Sequence, residues 1–475
     1  MSHLLLPAIR LSPVITSGLI LAGLLAPAAH PATSVRAGSV HAGTADAASL
    51  HARANAGAER PPDTPLYEPE YDYPVLDELR EEREALLAER DSLRKIIDDR
   101  YAEEAEKEEE ERLRLRLDWS AIETPSDPEQ FTSAFHFPPQ PQYATGTCWA
   151  FGSTSFFESE VHRLTGEPVK LSEIWTVYWE WVEKARRYVR EYGHSNLGPG
   201  SQFHGTREIY RQYGAVPLEA YPGILREDGR HDHSLMTKEI HSYLRWVKEN
   251  DFWFEEKVIA YVRMILDEYL GPAPERFEYR GRTYTPEAFR DEVLSLDMDD
   301  YIEICSTLRE PFGTWMILDV HDNWRRRNDY LNLSLEDFYR VIESALQEGY
   351  TAALGGDTSE PGVDGIHDAV VVPSFDIPGE WIDQASREYR IYNRTTTDDH
   401  GFHLVGYLEL GGRDWFLDKD SNRSSRLGEH EGYFFYDGDY IRLKMLSAMV
   451  HRDRLAGLLP EEMPEQAREG DRGGD

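Results

Sequence analysis

Apolar residues recur at helical spacing through the first half of the chain and crowd into short segments in its last third. The pattern after Cys148 predicts a helix that ends at Gly166, and further helices are predicted around 174–182, over about 235–270 and over 335–348. Strands are predicted at 350–356, 369–375, 387–393, 402–410, 414–419 and 432–436. Helices followed by strands favour an α+β fold over a doubly wound sheet.

The first 42 residues have the pattern of a secretory signal peptide. Arg10 precedes an apolar stretch, and Ala-x-Ala-like cleavage options lie between Ala29 and Ala42. The stretch is short and interrupted by Ala and Pro, which argues against a membrane span. We therefore expect an exported protein, periplasmic or extracellular, that is not an integral membrane protein after processing. An uncleaved anchor or a disordered leader is the alternative.

Composition divides the rest of the chain into three parts. Residues 43–75 are rich in Ala, Gly, Pro and acidic residues and predict a disordered linker. Residues 76–117 contain no Gly or Pro and predict a long charged helix, in which Leu79, Leu86 and Leu93 are seven residues apart. Arg83 and Arg90 interrupt that seam, so a solvated helix competes with a coiled coil. Residues 118–475 predict a globular domain with a mostly helical insert at about 225–345 and an acidic tail at 454–475.

Charge and cysteine content exclude several classes of function. The formal net charge of −36 repels phosphate backbones, so we expect no nucleic-acid partner. Two cysteines support neither a disulfide framework nor a thiolate zinc site. We expect no metal and no organic cofactor. Cys305 is expected to be a small buried hydrophobe.

Cys148 has the surroundings of a nucleophile. It stands at the predicted start of a helix, where free amides and the helix dipole favour the thiolate. Gly146 and Thr147 would keep the thiol accessible, and Gln142 lies six residues earlier. The Gln142 side-chain amide and the Cys148 backbone N–H could stabilise the oxyanion of a tetrahedral intermediate. The alternative is a buried structural cysteine.

A thiol nucleophile needs a histidine base that is distant in sequence. His367 and His400 each begin an apolar segment, so the residues alone leave both open.

Several segments resemble the papain family of cysteine peptidases. Gly146–Gly152, which reads GTCWAFG, follows Gln142 as in that family's active-site segment, and Leu171–Glu173 resembles its LSE segment. Residues 400–407 and 415–421 resemble the family's paired strands that carry the histidine and its orienting residue. The resemblance implies that His400 is the base and Asp420 orients it, while His403 lies on the other strand face and is structural.

A narrower resemblance, to the bleomycin hydrolase and aminopeptidase C branch, covers about residues 136–453. It rests on Gly200–Phe203 followed by YRQYGAVP, on the insert and on the closing segment. It implies a two-lobed fold with a cleft between a helical and a β-rich lobe. It also implies peptide substrates, acyl transfer by Cys148 and His400, aminopeptidase action and a ring-like hexamer. Trp149, Gly200 and Ser201 would bind substrate.

Two other functions compete with this one. The first is a catalytically silent protein that binds peptides in the same cleft. The second is another thiol acyl-transfer enzyme, such as a transglutaminase or an amidase, against which the LSE segment and the insert argue.

Four departures from the family pattern carry expectations of their own. Asp420 replaces an asparagine and should hold an imidazolium at least as well. Asn422 replaces a shielding tryptophan, so a wetter His400–Asp420 bond is expected. Ser201 replaces a glycine, which puts main-chain substrate contacts there in doubt.

In the branch, the C-terminus lies in the cleft and meets the substrate amine. The tail here lacks the apolar closing residues, so weaker restriction to free N-termini is expected.

Overall fold

The computed structural model describes residues 74–111, 117–223 and 228–462. The predicted signal peptide (1–42), nearly all of the predicted linker (43–75) and the end of the acidic tail (463–475) lie outside the described residues. The chain divides into two units, 1–110 and 111–475.

The first unit contains one described helix, α1 (Pro74–Glu111), in the segment where the charged helix was predicted. Proline at its first position costs no hydrogen bond, because the first amides of a helix have no intrahelical acceptor. Leu79, Leu86 and Leu93 are all exposed. The helix is therefore charged and solvated along the leucine seam within its own unit.

The second unit contains the remaining helices and all the described strands. The helices are α2 (Cys148–Thr165), α3 (Glu173–Arg190), α4 (Phe203–Tyr213), α5 (Ser234–Glu249), α6 (Glu255–Leu270), α7 (Pro286–Phe289), α8 (Leu335–Gln347), α9 (Gln384–Tyr392) and α10 (Gly438–Lys444). The strands are β1 (Thr132–Ser133), β2 (Phe277–Tyr279), β3 (Arg282–Tyr284), β4 (Tyr301–Cys305), β5 (Thr314–Met316), β6 (Tyr330–Asn332), β7 (Ala352–Gly356), β8 (Val363–Asp364), β9 (Ala369–Val370), β10 (His400–Leu410), β11 (Arg413–Lys419), β12 (Tyr433–Asp437) and β13 (Met445–His451).

Within the described residues, eleven strands form one mixed sheet in the order β5-β6-β4-β13-β7-β10-β11-β12-β9-β8, with β1 paired to β10. β4–β6 and β12–β9 are parallel pairs and the others are antiparallel. One large apolar cluster lies among helices α2 to α6, and a second lies between the sheet and α8. α2 belongs to the helical layer and packs directly on β10, so the layers meet at this pair.

The sequence explains the bounds of α2 and α3. α2 ends at Gly166, whose φ of 74° is a left-handed conformation that glycine adopts without strain. α3 begins after Ser172, whose hydroxyl accepts the Trp175 amide at 3.0 Å. Apolar residues on one face of α3 then bury against α2 and α6.

The strand predicted at 387–393 is wrong, because this segment is part of helix α9. Asp383 and Ser386 form a capping box that begins the helix. The fully buried Arg387 donates to the backbone oxygens of Ser306 (2.9 Å) and Arg442 (2.8 Å). These partners belong to other parts of the fold, and the apolar spacing alone could not reveal them.

Two other predictions need adjustment. Of the segment 369–375, only Ala369–Val370 forms a strand, and Pro373 follows it closely. The insert contains helices α5, α6 and α8, as expected, but it also supplies β4, β5 and β6 to the main sheet. This part of the insert is therefore continuous with the core.

No described helix combines the length and apolar character needed to cross a bilayer.

The approach of α2 to β10 yields a stability prediction. A Cβ at Gly152 would lie 3.2 Å from both the carbonyl carbon and Cα of Phe402, which is backbone and cannot move aside cheaply. We expect Gly152→Ala to lower the free energy of unfolding by about 1–3 kcal/mol, as overpacking typically does. Chemical denaturation would measure this. Helix propensity alone would instead stabilise the variant by about 1 kcal/mol, so a more stable Gly152→Ala protein would contradict the prediction.

Candidate active site

Cys148 is the first residue of α2 and is half-buried. Gly146 has a φ of 66°, and a Cβ there would lie 2.9 Å from the Pro199 side chain, so the turn into the helix requires glycine. The amides at this helix start have no intrahelical acceptor and direct their partial positive charge toward the thiol. The structure thus has the helix-start thiol that the sequence predicted.

His400 begins β10, and its imidazole is almost fully buried. Its Nε2 lies 2.6 Å from Asp420 Oδ2, and His400 lines the same narrow slot as Cys148. With Nε2 bound to Asp420, Nδ1 is the nitrogen available to the thiol. Burial lowers the pKa of His400, but the charge and hydrogen bond of Asp420, together with Cys148, outweigh it and raise the pKa well above its usual value.

Asp420 directly follows β11, the strand paired with β10. Its second oxygen, Oδ1, accepts from the Asn422 amide and from Ser425 Oγ at 3.2 Å. Burial raises the pKa of Asp420, but His400 and these donors reverse the effect and lower it. The pair is therefore an imidazolium held by an ionised carboxylate.

The expectation of a wetter His400–Asp420 bond is wrong. The two side chains are only 4% and 1% exposed. Asn422 shields the carboxylate through its backbone amide, and Ser425 covers the same oxygen. The Asn422 backbone amide and the Ser425 hydroxyl thus shield the Asp420 carboxylate from water in place of the family's tryptophan side chain.

Gln142 is tied to the residue after Asp420. Its backbone amide donates to the Ser421 oxygen at 2.9 Å, and its Oε1 accepts from Ser421 Oγ at 2.8 Å. This bond fixes the orientation of the amide and leaves the Nε2 donors for another acceptor. The role of Gln142 in an oxyanion hole stays a prediction.

His367 and His403 have other partners. His367 is half-exposed in the turn before β9, with Nδ1 3.3 Å from Asp364 and its ring stacked on Trp119. His403 is fully buried, and its Nδ1 lies 2.8 Å from Ser155 Oγ. Burial lowers the pKa of His403 well below its usual value, so it stays neutral. Of these three histidines, His400 is the one that the structure brings to Cys148.

A buried ionic network connects the elements that carry the residues of the site. Lys170 bridges Glu158 at 2.7 Å and Glu173 at 2.5 Å, and Glu158 also accepts the Leu171 amide at 2.9 Å. Lys419, at the end of β11, lies 4.0 Å from Glu158. The network joins α2, the LSE segment and the strand that leads to Asp420. It therefore fixes α2, which carries Cys148, relative to the strand that leads to Asp420.

The predicted substrate-binding residues lie together beside the thiol. Trp149 Nε1 donates to the Pro199 oxygen at 3.1 Å, and Lys184 donates to the oxygens of Gly198 (2.6 Å) and Gly200. The Ser201 hydroxyl donates to the buried Glu180. The hydroxyl that replaces the family glycine is thus bound by a buried partner.

Several residues that line this site were not predicted from the sequence. Cys148, Trp149, Ser201 and His400 line a narrow slot of about 20 Å³, whose other lining residues include Gln202, Asp322, Asp398 and Asp399. Asp398 and Asp399 directly precede His400, a signal that was available. Asp322 comes from the insert, and nothing local in its sequence marks it.

The chain is similar to known proteins in sequence and in fold. The Peptidase C1-like family model matches residues 131–372. Aminopeptidase C of Lactococcus lactis subsp. cremoris is 22% identical over 255 residues, which are 46% of this chain and 58% of the relative. Aminopeptidase G of Lactobacillus delbrueckii subsp. lactis is 21% identical over 254 residues, with the same two coverages. The chain therefore spans 58% of the length of these curated relatives.

Among solved structures, PepW from Lactobacillus rhamnosis HN001 (DR20) superposes with a TM-score of 0.52 at 16% identity. The match covers 71% of this chain and 83% of that chain. At this identity the likeness is one of fold.

The Asp420–His400 pair can be tested through the reactivity of the thiol. Asp420→Asn removes the charge that raises the pKa of His400, so that pKa should fall and the imidazolium should support the Cys148 thiolate less. We expect iodoacetamide to alkylate Cys148 several-fold more slowly at pH 5.5 and at a similar rate at pH 9. Mass spectrometry of the labelled peptide would measure both rates.

Two controls accompany this measurement. Asp418→Asn changes a nearby buried carboxyl. Burial and the charge of Asp420 raise the pKa of Asp418 well above its usual value, so this carboxyl is already neutral. The variant should therefore leave the ratio of the Cys148 labelling rates at pH 5.5 and pH 9 unchanged. Cys305, whose pKa burial raises to about 12, should stay unlabelled in the folded protein. An unchanged pH ratio in Asp420→Asn would contradict the assigned role of Asp420.

Proposed function

Because the chain belongs to the Peptidase C1-like family, we propose that it hydrolyses peptide bonds as a cysteine peptidase, with Cys148 as nucleophile and His400 as general base. The observation that carries the proposal is that the buried His400 imidazole is bound to the Asp420 carboxylate and lines the same slot as the Cys148 thiol. Two relatives are named aminopeptidases, which supports aminopeptidase action in this chain.

In the acylation step, the Cys148 thiolate attacks the carbonyl carbon of the scissile bond. The oxygen becomes an oxyanion, for which the Cys148 amide and the Gln142 side chain are the proposed donors. The C–N bond breaks and the amine leaves with the proton of the His400 imidazolium. Asp420 keeps the ring in the orientation that this transfer needs.

In the deacylation step, neutral His400 takes a proton from water, whose oxygen attacks the thioester carbonyl. The C–S bond breaks, the new carboxylic acid leaves, and the thiolate and imidazolium are restored.

A matched pair of histidine variants tests this proposal. His400→Ala should lower kcat/KM by about a thousand-fold or more, because nucleophile and base act as one unit. His367→Ala removes a half-exposed imidazole and should stay within about three-fold of the parent. Hydrolysis of aminoacyl amides with a fluorescent leaving group would measure both, with Cys148→Ala as the inactive reference.

Other outcomes would favour the competing functions. Equal losses in the two histidine variants would contradict the assignment of the base. A parent protein that binds peptides without turnover would be the catalytically silent peptide-binding protein. Transfer of the acyl group to an amine in preference to water would indicate a transglutaminase-like enzyme.

Export is a second proposal, which rests on the signal-peptide pattern of residues 1–42. Protein isolated from its native host should begin between about residues 30 and 48 and should be found outside the cytoplasm. N-terminal sequencing of fractionated cells would measure this, and cytoplasmic protein with Met1 intact would contradict it. The hexamer stays a prediction from the family resemblance.

A further inference from the structure

The slot beside Cys148 is closed at one end by a loop of the insert. Residues 317–329 connect β5 to β6, and Asp322 in this loop lines the slot together with Cys148 and Trp149. If Gly200 carried a Cβ, that atom would lie 2.0 Å from Asp322 Oδ2 and 2.7 Å from Oδ1. The Asp322 carboxylate therefore occupies the space directly over Gly200, in the segment predicted to bind substrate.

Side chains next to Asp322 anchor the loop. Trp324 Nε1 donates to Glu180 Oε1 at 2.6 Å and to Ser201 Oγ at 3.2 Å, and Arg325 forms an ion pair with the same Glu180. Asn323 is 2% exposed and donates to the Leu318 oxygen at 2.8 Å. Asp322 thus has a fixed position relative to the substrate-binding segment.

The loop also separates two spaces. On its far side lies a cavity of about 550 Å³, lined by His321, Asn323 and Trp324, whereas Asp322 between them faces the slot. Asp398 lines both spaces. Residues of this loop therefore line both spaces, and Asp322 lies at the slot.

The charges at this wall suit a cation. Among the described residues, no hydrogen bond reaches the Asp322 carboxylate, and Asp398 is bound by Gln202 Nε2 at 2.5 Å through one oxygen. Burial raises the pKa of Asp322, and it raises that of Asp398 to about 7. Lys184 and His321 interact electrostatically with Asp322 and lower its pKa, but burial outweighs them, and the Lys184 amine donates to the carbonyl oxygens of Gly198 and Gly200. A cationic group of the substrate would donate the hydrogen bonds that the Asp322 carboxylate lacks among the described residues.

We infer that Asp322 binds the free α-ammonium group of the substrate and that its loop blocks longer upstream chains, so that single residues are removed from the N-terminus. This inference rests on the proposed peptidase function and deepens it. The carboxylate that recognises the amine belongs to the folded insert, so this inference keeps the restriction to free N-termini without the terminal tail and replaces the weaker restriction expected from the tail sequence.

The parent enzyme provides the first test. It should hydrolyse a free-amine aminoacyl amide at least a hundred-fold more efficiently than the N-acetylated compound, and the first product from a peptide should be a single amino acid. Comparable hydrolysis of acetylated peptides, or dipeptides as first products, would overturn the inference while leaving the peptidase assignment intact.

Two variants of Asp322 distinguish the effect of its negative charge from the effect of the space that its side chain fills. Asp322→Asn keeps the shape and should raise KM for the free-amine substrate about ten- to hundred-fold with little change in kcat, as expected when ground-state binding is lost. Asp322→Ala opens the wall and should also increase hydrolysis of N-acetylated peptides. Asp319→Asn, an exposed carboxylate of the same loop, is the matched control and should leave both parameters unchanged. Retention of the free-amine preference in Asp322→Asn would overturn the assignment.

A binding measurement is independent of turnover. In Cys148→Ala, calorimetry should find a dipeptide with a free amine bound at least ten-fold more tightly than its acetylated form, and adding Asp322→Asn should abolish that difference. If the parent protein had no peptidase activity but showed the same difference in dipeptide affinity, Asp322 would remain an ammonium site and the peptidase proposal would be rejected. Equal affinities for the two dipeptides in Cys148→Ala would overturn the inference.

Discussion

The close packing of α2 on β10 is the constraint on which the rest of this structure depends. A thiol at a helix start and an imidazole at a strand start can meet only if helix and strand approach until their backbones nearly touch. Gly152 permits this, because even a methyl group there would lie 3.2 Å from the Phe402 backbone. Both reactive groups stand on regular elements, which hold a geometry more tightly than loops do.

Buried charged groups beside the contact of α2 with β10 give the site its chemistry. The His400–Asp420 pair is nearly inaccessible to water, and the Lys170 network lies under the same strand and helix. Burying ions is costly unless each has a partner and hydrogen bonds, and Asp420 has both on its two oxygens. Such networks add little net stability, but they penalise alternative arrangements, since any shift would leave a buried charge unpaired.

The insert contributes to the core as well as to the cleft. Strands β4 and β6 are paired on both sides within the main sheet, and the loop that carries Asp322 leaves from its edge strand β5. Glu180 of α3 binds this loop and Ser201 at once, which links the helical layer, the substrate-binding segment and the insert. The specificity proposed for Asp322 therefore depends on a residue that never contacts substrate itself.

The sequence by itself determined the α+β order of elements and the family, and it identified Cys148 as the proposed nucleophile, because helix periodicity, capping and the Cys148 motif are all local signals. The tertiary structure decided the rest. Residues 387–393 became a helix because a cap and the burial of Arg387 outweighed their strand-like spacing. His400 and His367 both begin apolar segments, and the family resemblance selected His400. The pairing of β10 with β11 is what places the His400 ring 2.6 Å from Asp420. Asp322 reaches Gly200 through a loop that is distant along the chain, and local patterns cannot encode such a contact.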